Sequence, residues 1–204
     1  ELSRGLGDVY KRQIENNAEP NVKLEIIEPA IVETRYATEY DTNIQIPAYI
    51  FSYITPKSVE KDAYTLDYIS SILTGGNSSR MYKRMVDKDK VALQVLAFNQ
   101  ANQDYGTYTM GAIIKGEPNW DMLKTTMDEE IKKLQTELIS EKEYQKLQNQ
   151  FETNYVQANS SVEGIASSLA TYHMLQGDAN RINKQLDIYR TCLLYTSDAA
   201  DDTL

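Results

Sequence analysis

The side chains able to do chemistry are few. One histidine, His173, and one cysteine, Cys192, occur among the 204 residues. A zinc site that needs two histidines therefore cannot be built from this chain alone. His173 lies at the edge of an apolar helical face formed by Ile165, Leu169 and Tyr172, a place that suits a packed or half-exposed residue better than a ligand. The carboxylates come as the run Asp128-Glu129-Glu130 and the pair Glu141 and Glu143. Paired carboxylates can serve as general acid and base, but these lie opposite the apolar stripes of their helices, where charge is solvated. Gly75-Gly76-Asn77-Ser78-Ser79-Arg80 has the small residues of a phosphate-cradling loop. It follows a helix rather than a strand and lacks the lysine at the required spacing, so a helix terminator followed by an N-cap accounts for it better. No serine has a nucleophile elbow around it, and no thiol is placed to attack.

The elements that would position such groups belong to an ordinary globular chain. A hydrophobic content of 41% with 25% charged residues excludes a disordered polymer, and no apolar run approaches the roughly 20 residues needed to cross a bilayer. A net charge of -9 argues against nucleic acid as the main partner. A single cysteine gives no internal disulfide.

Both termini read as foreign to the fold. Asp8 to Gln13 is what the codons GAT GTG TAT AAG AGA CAG encode, and Cys192 to Asp198 fits TGT CTC TTA TAC ACA TCT GAC, which opens with the reverse complement of the same transposon end. Residues 1–13 and 192–204 are therefore read as translated sequencing adapter and set aside. Residues 14–30, with Pro20, Pro29 and several asparagines, read as a linker, and 31–191 as one module cut short at its C-terminus.

Within 31–191 the apolar period changes along the chain. Ile31 to Ala37 and Ile44 to Ile54 alternate and predict half-buried strands, with Pro47 placing the second at an edge or a bulge. Ala63, Leu66, Ile69 and Leu73 form a helical face ended by Gly75-Gly76, and Ser78 or Ser79 can cap a short helix carrying Met81, Tyr82 and Met85. Val91 to Phe98 and Tyr105 to Ile114 predict a hairpin across Asn99 to Asp104. The last third is helical: Trp120 to Leu138; a helix opened by the capping box Ser140/Glu143, with Tyr144, Leu147, Phe151 and Tyr155 inward; Val162 to Leu175, stopped at Gly177; and a fourth from about Ala179. Strands first and helices after indicate an α+β fold, a sheet with helices packed on one face.

One stretch carries more. Leu73-Thr-Gly-Gly-Asn-Ser-Ser-Arg-Met-Tyr-Lys-Arg-Met85, then Val91-Ala-Leu-Gln-Val95 and Asp104-Tyr-Gly-Thr-Tyr108, resembles the C-terminal module of the insulinase/pitrilysin peptidases, the inverzincins. Leu147 to Phe151, Asn159 to Ala166 and Asn183 to Arg190 resemble that family's helical tail. The resemblance implies an antiparallel-rich mixed sheet with helices on one face, continued in the family by a further helix and strand. It implies a zinc-activated water for peptide hydrolysis, with the zinc held by an inverted His-x-x-Glu-His helix and a distal Glu in the preceding module, outside this segment. The partners implied are that zinc-bearing N-terminal module, a second peptidase half on the same or a separate chain, and peptide substrates.

Many relatives carry an arginine and, seven positions on, a tyrosine that hold the substrate backbone. Aligned here, those places fall at Val86 and Leu93, neither of which can donate a side-chain hydrogen bond. The resemblance thus implies a non-catalytic chamber-lining module with no catalytic or metal-binding residue of its own. The alternative is a scaffold or substrate-capture module of a family member whose zinc site has decayed. The habits of such peptidases favour the bacterial periplasm or cell envelope over the cytoplasm. Residues 14–191, purified alone, are expected to bind no zinc stoichiometrically and to cleave no quenched-fluorescent peptide; chelator-sensitive cleavage would place the chemistry in this segment.

Overall fold

Alternating side chains make Ala48–Thr55 a strand, β1, with Tyr49, Phe51 and Tyr53 on one face and Ile50, Ser52 and Ile54 on the other. The computed structural model describes Ile27, Pro29 and residues 31–192. Two compact units divide at Ala37/Thr38, and everything from β1 onward lies in the second.

The expected strand at Ile31 to Ala37 does not form, and β1 starts later than Ile44. An Asx turn takes the place of its first residues. Asp41 Oδ1 accepts from the Asn43 N–H at 2.8 Å, and the Asp41 carbonyl accepts from the Ile44 N–H at 3.1 Å. Pro47 has no N–H to offer a ladder, but its carbonyl accepts from the Ile114 N–H at 2.8 Å. Among the described residues β1 stands at the edge of the sheet, one of the two places its proline allows.

Two further strands, β2 (Ala92–Ala101) and β3 (Gly106–Ile114), form the hairpin, and the order is β1-β3-β2 with both pairings antiparallel. The hairpin is longer than its sequence suggests, because Asn99 to Ala101 continue the ladder opposite Gly106 to Tyr108. Gly106 permits this closeness: a Cβ there would lie 2.6 Å from Thr55 Oγ1 and 2.9 Å from the Gln100 carbonyl oxygen. A bulge interrupts β2, where Ala92 faces Ile114 and Gln94 faces Ile113, leaving Leu93 without a ladder partner.

Helix α1 (Lys61–Thr74) lies on β2. The periodicity marks one buried face, yet Tyr64, Tyr68 and Ile72 are buried as well as Ala63, Leu66, Ile69 and Leu73. The reason is a second helical layer on the far side. This layer contains α3 (Glu141–Ala158), α4 (Val162–Gln176) and α5 (Arg181–Cys192), of which α3 and α5 touch α1. Tyr68 packs edge-on against Phe151 of α3 at 4.5 Å, and its hydroxyl donates to the Tyr189 carbonyl of α5 at 2.8 Å. The Tyr189 hydroxyl donates to Asp67 at 2.9 Å, and Arg181 donates to the Tyr64 hydroxyl at 2.8 Å. Burial pushes the Asp67 carboxyl up, against the hydrogen bonds from Tyr189 and Asn99.

Helix α2 (Trp120–Thr136) opens on Asn119, whose side chain accepts from the Met122 N–H at 3.0 Å. Trp120 stacks obliquely on Tyr49 of β1 at 5.4 Å. Leu123, Met127 and Leu134 enter the core as expected, but α2 ends before Leu138, which is exposed. Between α1 and β2, Tyr82–Lys88 is a π-helix rather than the α-helical turn expected, with Met81 and Met85 fully buried. Neither serine caps it with its hydroxyl; the Ser79 carbonyl accepts the Lys83 N–H instead.

The Ser140/Glu143 capping box is present on α3, and Gly177 ends α4 in the left-handed region at φ 72°. Glu143 also receives Arg80 of the Ser-Ser-Arg segment through two hydrogen bonds, at 3.0 and 3.1 Å. Those bonds, with help from the Ser140 N–H and hydroxyl, hold the Glu143 carboxyl down to about 2 from its ordinary 4.5. A carboxyl depressed on folding contributes stability above its unfolded value and loses it as pH falls through the folded one. Glu143→Gln is therefore expected to flatten the fall in urea stability between about 4.5 and about 2. An unchanged acid limb would show that the Arg80 pair contributes nothing to folding.

Candidate functional site

The helices cover one face of the sheet and leave the other open. On the covered face Val95, Tyr108, Met110, Ala112 and Ile114 are buried. On the open face Ile50 (57%), Ile54 (44%) and Phe98 (47%) are exposed large apolar residues around Ser52 and Thr109, whose hydroxyls lie 3.3 Å apart. Both faces of β1 are thus apolar, the pattern of a strand meant to be covered on both sides. That signal is present in Tyr49-Ile50-Phe51-Ser52-Tyr53-Ile54, where Ser52 alone interrupts a run of large apolar and aromatic residues.

Val86 and Leu93, expected from the sequence to stand where relatives carry a substrate-holding arginine and tyrosine, fall in different surroundings. Val86, on the π-helix, is half-buried against the core. Leu93 is 47% exposed at the β2 bulge, where the alternation slips and Gln94 beside it is exposed too. Neither brings a polar group to the sheet.

The carboxylates separate. Asp128 and Glu129 are on the solvated side of α2, as expected. Glu130 is not: it is 4% exposed, bonded to Lys133 Nζ at 2.6 Å and 4.0 Å from Arg84. Its distances of three from Met127 and four from Leu134 put it on the apolar stripe, and the lysine and arginine around it make that burial tolerable. Arg84 also reaches Asp89 at 2.7 Å and Glu129 at 3.3 Å, which ties the π-helix to α2. Glu143, expected in solvent with Glu141, is engaged by Arg80, while Glu141 stays exposed. Asp128, Glu129, Glu130 and Glu143 are each held by a cation, and Glu141 is not.

His173 is exposed on α4. Among the described residues, no three His, Cys, Asp or Glu side chains converge so as to hold a metal ion. The donor set that zinc requires does not fit this part of the chain.

Residues 6–151 match the sequence profile of the peptidase M16 inactive domain. The chain belongs to that family. It is the C-terminal module of insulinase-type peptidases, and the match takes in residues on both sides of position 14, including stretches read from sequence as adapter and linker. The zinc protease PqqE of Helicobacter pylori is 25% identical over 166 residues, covering 79% of this chain and 37% of that protein. The chain thus spans little more than a third of the curated relative it matches. A protease structure from Helicobacter pylori superposes with a TM-score of 0.72 at 20% identity, over 80% of this chain and 40% of that one. The inactive peptidase domain from Bordetella parapertussis gives 0.67 at 22% identity, over 77% and 84%. The periplasmic protease PqqL of Escherichia coli gives 0.64 at 13% identity, over 80% and 18%.

The family's description as an inactive domain agrees with the non-catalytic reading of this module. Among the described residues no helix is long and apolar enough to cross a membrane. The open face of this M16 domain should contribute little to its own stability. In urea denaturation, Ile50→Thr is expected to cost less than about 1 kcal/mol, whereas Met85→Ala in the core costs about 2–5 kcal/mol. Equal losses would mean that the open face is part of the folding core.

Proposed function

We propose that this chain is the non-catalytic wall of a zinc metalloendopeptidase that encloses peptides between two halves, with its open sheet face turned toward the enclosed space. The observation that carries the reading is the asymmetry of the sheet, buried under helices on one face and apolar but uncovered on the other. Exposed apolar surface of this kind marks a place for a partner or a substrate. An extended peptide suits it, since Ile50, Ile54 and Phe98 offer apolar contact while Ser52 and Thr109 offer hydroxyls.

In this reading the zinc and its activated water belong to the N-terminal half; among the described residues no ligand set for the ion converges. With Val86 and Leu93 where relatives carry donors, the grip on the substrate backbone comes from the second half. This module then positions and screens peptides rather than polarising them. Periplasmic or cell-envelope residence accords with PqqL of Escherichia coli being a periplasmic protease.

The test uses the complete protein and a quenched-fluorescent peptide. Cleavage should be lost with a chelator and restored by zinc. Ile50→Asp with Phe98→Asp should reduce kcat/KM at least about tenfold while circular dichroism stays unchanged. Full activity in that double variant would remove the open face from function. Peptide binding with no turnover in the zinc-loaded wild type would establish the substrate-capture reading instead.

A further inference from the structure

The open face of the sheet has a shape as well as a polarity. Register sets its rows: Gly111 of β3 lies between Ile50 of β1 and Leu96 of β2, and Thr109 lies between Ser52 and Phe98. In the row beyond, Thr107 lies beside Ile54. The central strand therefore shows small side chains, or none, between larger apolar groups on both neighbours. Neighbouring strands are about 4.8 Å apart, which puts the two ridges roughly 10 Å from each other, wide enough for one extended chain. The open face is a trough that runs along β3.

Its lowest point is Gly111. A Cβ there would run into the Tyr49 carbonyl and would lie 3.2 Å from Ile50 Cγ1. The close approach of β1 at this row admits only glycine, and the floor stays bare, with Ile50 and Leu96 as its walls.

The second observation is what the strands lack. No Asp, Glu, Lys, Arg or His occurs in β1, β2 or β3, although 25% of the chain is charged. On the face under the helices that is the composition of a core. On the open face it is unusual, because exposed sheet faces and edge strands ordinarily carry charge, lysine above all. The polar groups of the trough are neutral, among them the Ser52 and Thr109 hydroxyls 3.3 Å apart. Hydroxyls can meet the N–H and C=O groups of a peptide backbone, but a neutral apolar surface does not offset the desolvation of a charge laid on it.

We infer that the trough along β3 selects the substrate, admitting an extended, uncharged peptide segment that seats a large apolar side chain over Gly111, between Ile50 and Leu96. Segments that place Asp, Glu, Lys or Arg there are rejected. The inference rests on the proposed peptide-facing role of this surface and adds the class of peptide. Ile50, Gly111 and Leu96 are then specificity-determining residues, which act by binding a part of the substrate remote from the bond that is cut.

The test uses the complete zinc-loaded protein and quenched-fluorescent peptides identical around the cleaved bond. Leu, Asn, Asp or Lys is placed in turn at successive flanking positions. At one position or more, kcat/KM for Leu should exceed that for both Asp and Lys at least about tenfold, with the isosteric Asn separating charge from size. Ser52→Lys, one row from Gly111, should raise cleavage of the Asp peptide at least about fivefold relative to the Leu peptide, and should leave the Lys peptide poor. Gln100→Lys, at another exposed position of the open face, repeats the test if Ser52→Lys fails to fold. Equal cleavage of the Leu, Asp and Lys peptides at every position, or a preference that neither lysine variant shifts, would overturn the inference. Loss of activity in the Ile50→Asp, Phe98→Asp double variant together with equal cleavage would mean that the open face functions without selecting. Full activity in that double variant would instead remove the peptide-facing role on which the inference stands.

Discussion

Helix α1 has to be buried on two sides at once, and the rest of the module is arranged around that requirement. Its Leu66, Ile69 and Leu73 join the sheet core, while Tyr64 and Tyr68 meet α5 and α3. Tyrosine suits the second interface because each ring is apolar in body and polar at its tip. The ring cluster Tyr68, Phe151 and Tyr189 gives shape, and the hydroxyls give registry through the Tyr189 carbonyl, Asp67 and Arg181. Asp67 sits unfavourably as a carboxylate in that layer, yet it receives Tyr189 and Asn99 and so links α5, α1 and β2. The outer helices are thus held through α1 rather than by the sheet directly.

Much of this was legible from residue order. The helical tail, its capping box, the Gly177 stop and the hairpin all follow from local chemistry, because each depends on neighbours within a few positions. Some failures come from local structure that alternation does not encode, and the others from contacts between distant segments. Ile31 to Ala37 alternates like a strand but forms none, and Ile44 yields to an Asx turn. Glu130 reads as solvated until Arg84, from a separate element, is brought near. Tyr64 and Tyr68 read as the outer side of α1 until α3 and α5 fold over them. A π-helix at Tyr82–Lys88 leaves no local mark that distinguishes it from an α-helical turn.

Function divides in the same way. A scarcity of histidine and cysteine is visible in the composition, and it excludes a two-histidine zinc site built from this chain alone. The open sheet face is a property of packing: only when Tyr49, Phe51 and Tyr53 are committed to the covered side do Ile50 and Ile54 stand out as surplus. Phe98, from another strand, completes that surface through the β2–β3 register.

Trp120 is the sole tryptophan, 44% exposed and 5.4 Å from the Tyr49 ring. The chain therefore contains a built-in optical probe at the seam where α2 meets the edge strand. Its emission wavelength and quenching by iodide report whether that seam is closed, without any attached dye. Because β1 also displays Ile50 and Ile54, a ligand or companion half settling on the uncovered side would be sensed through the strand by an indole on the opposite one.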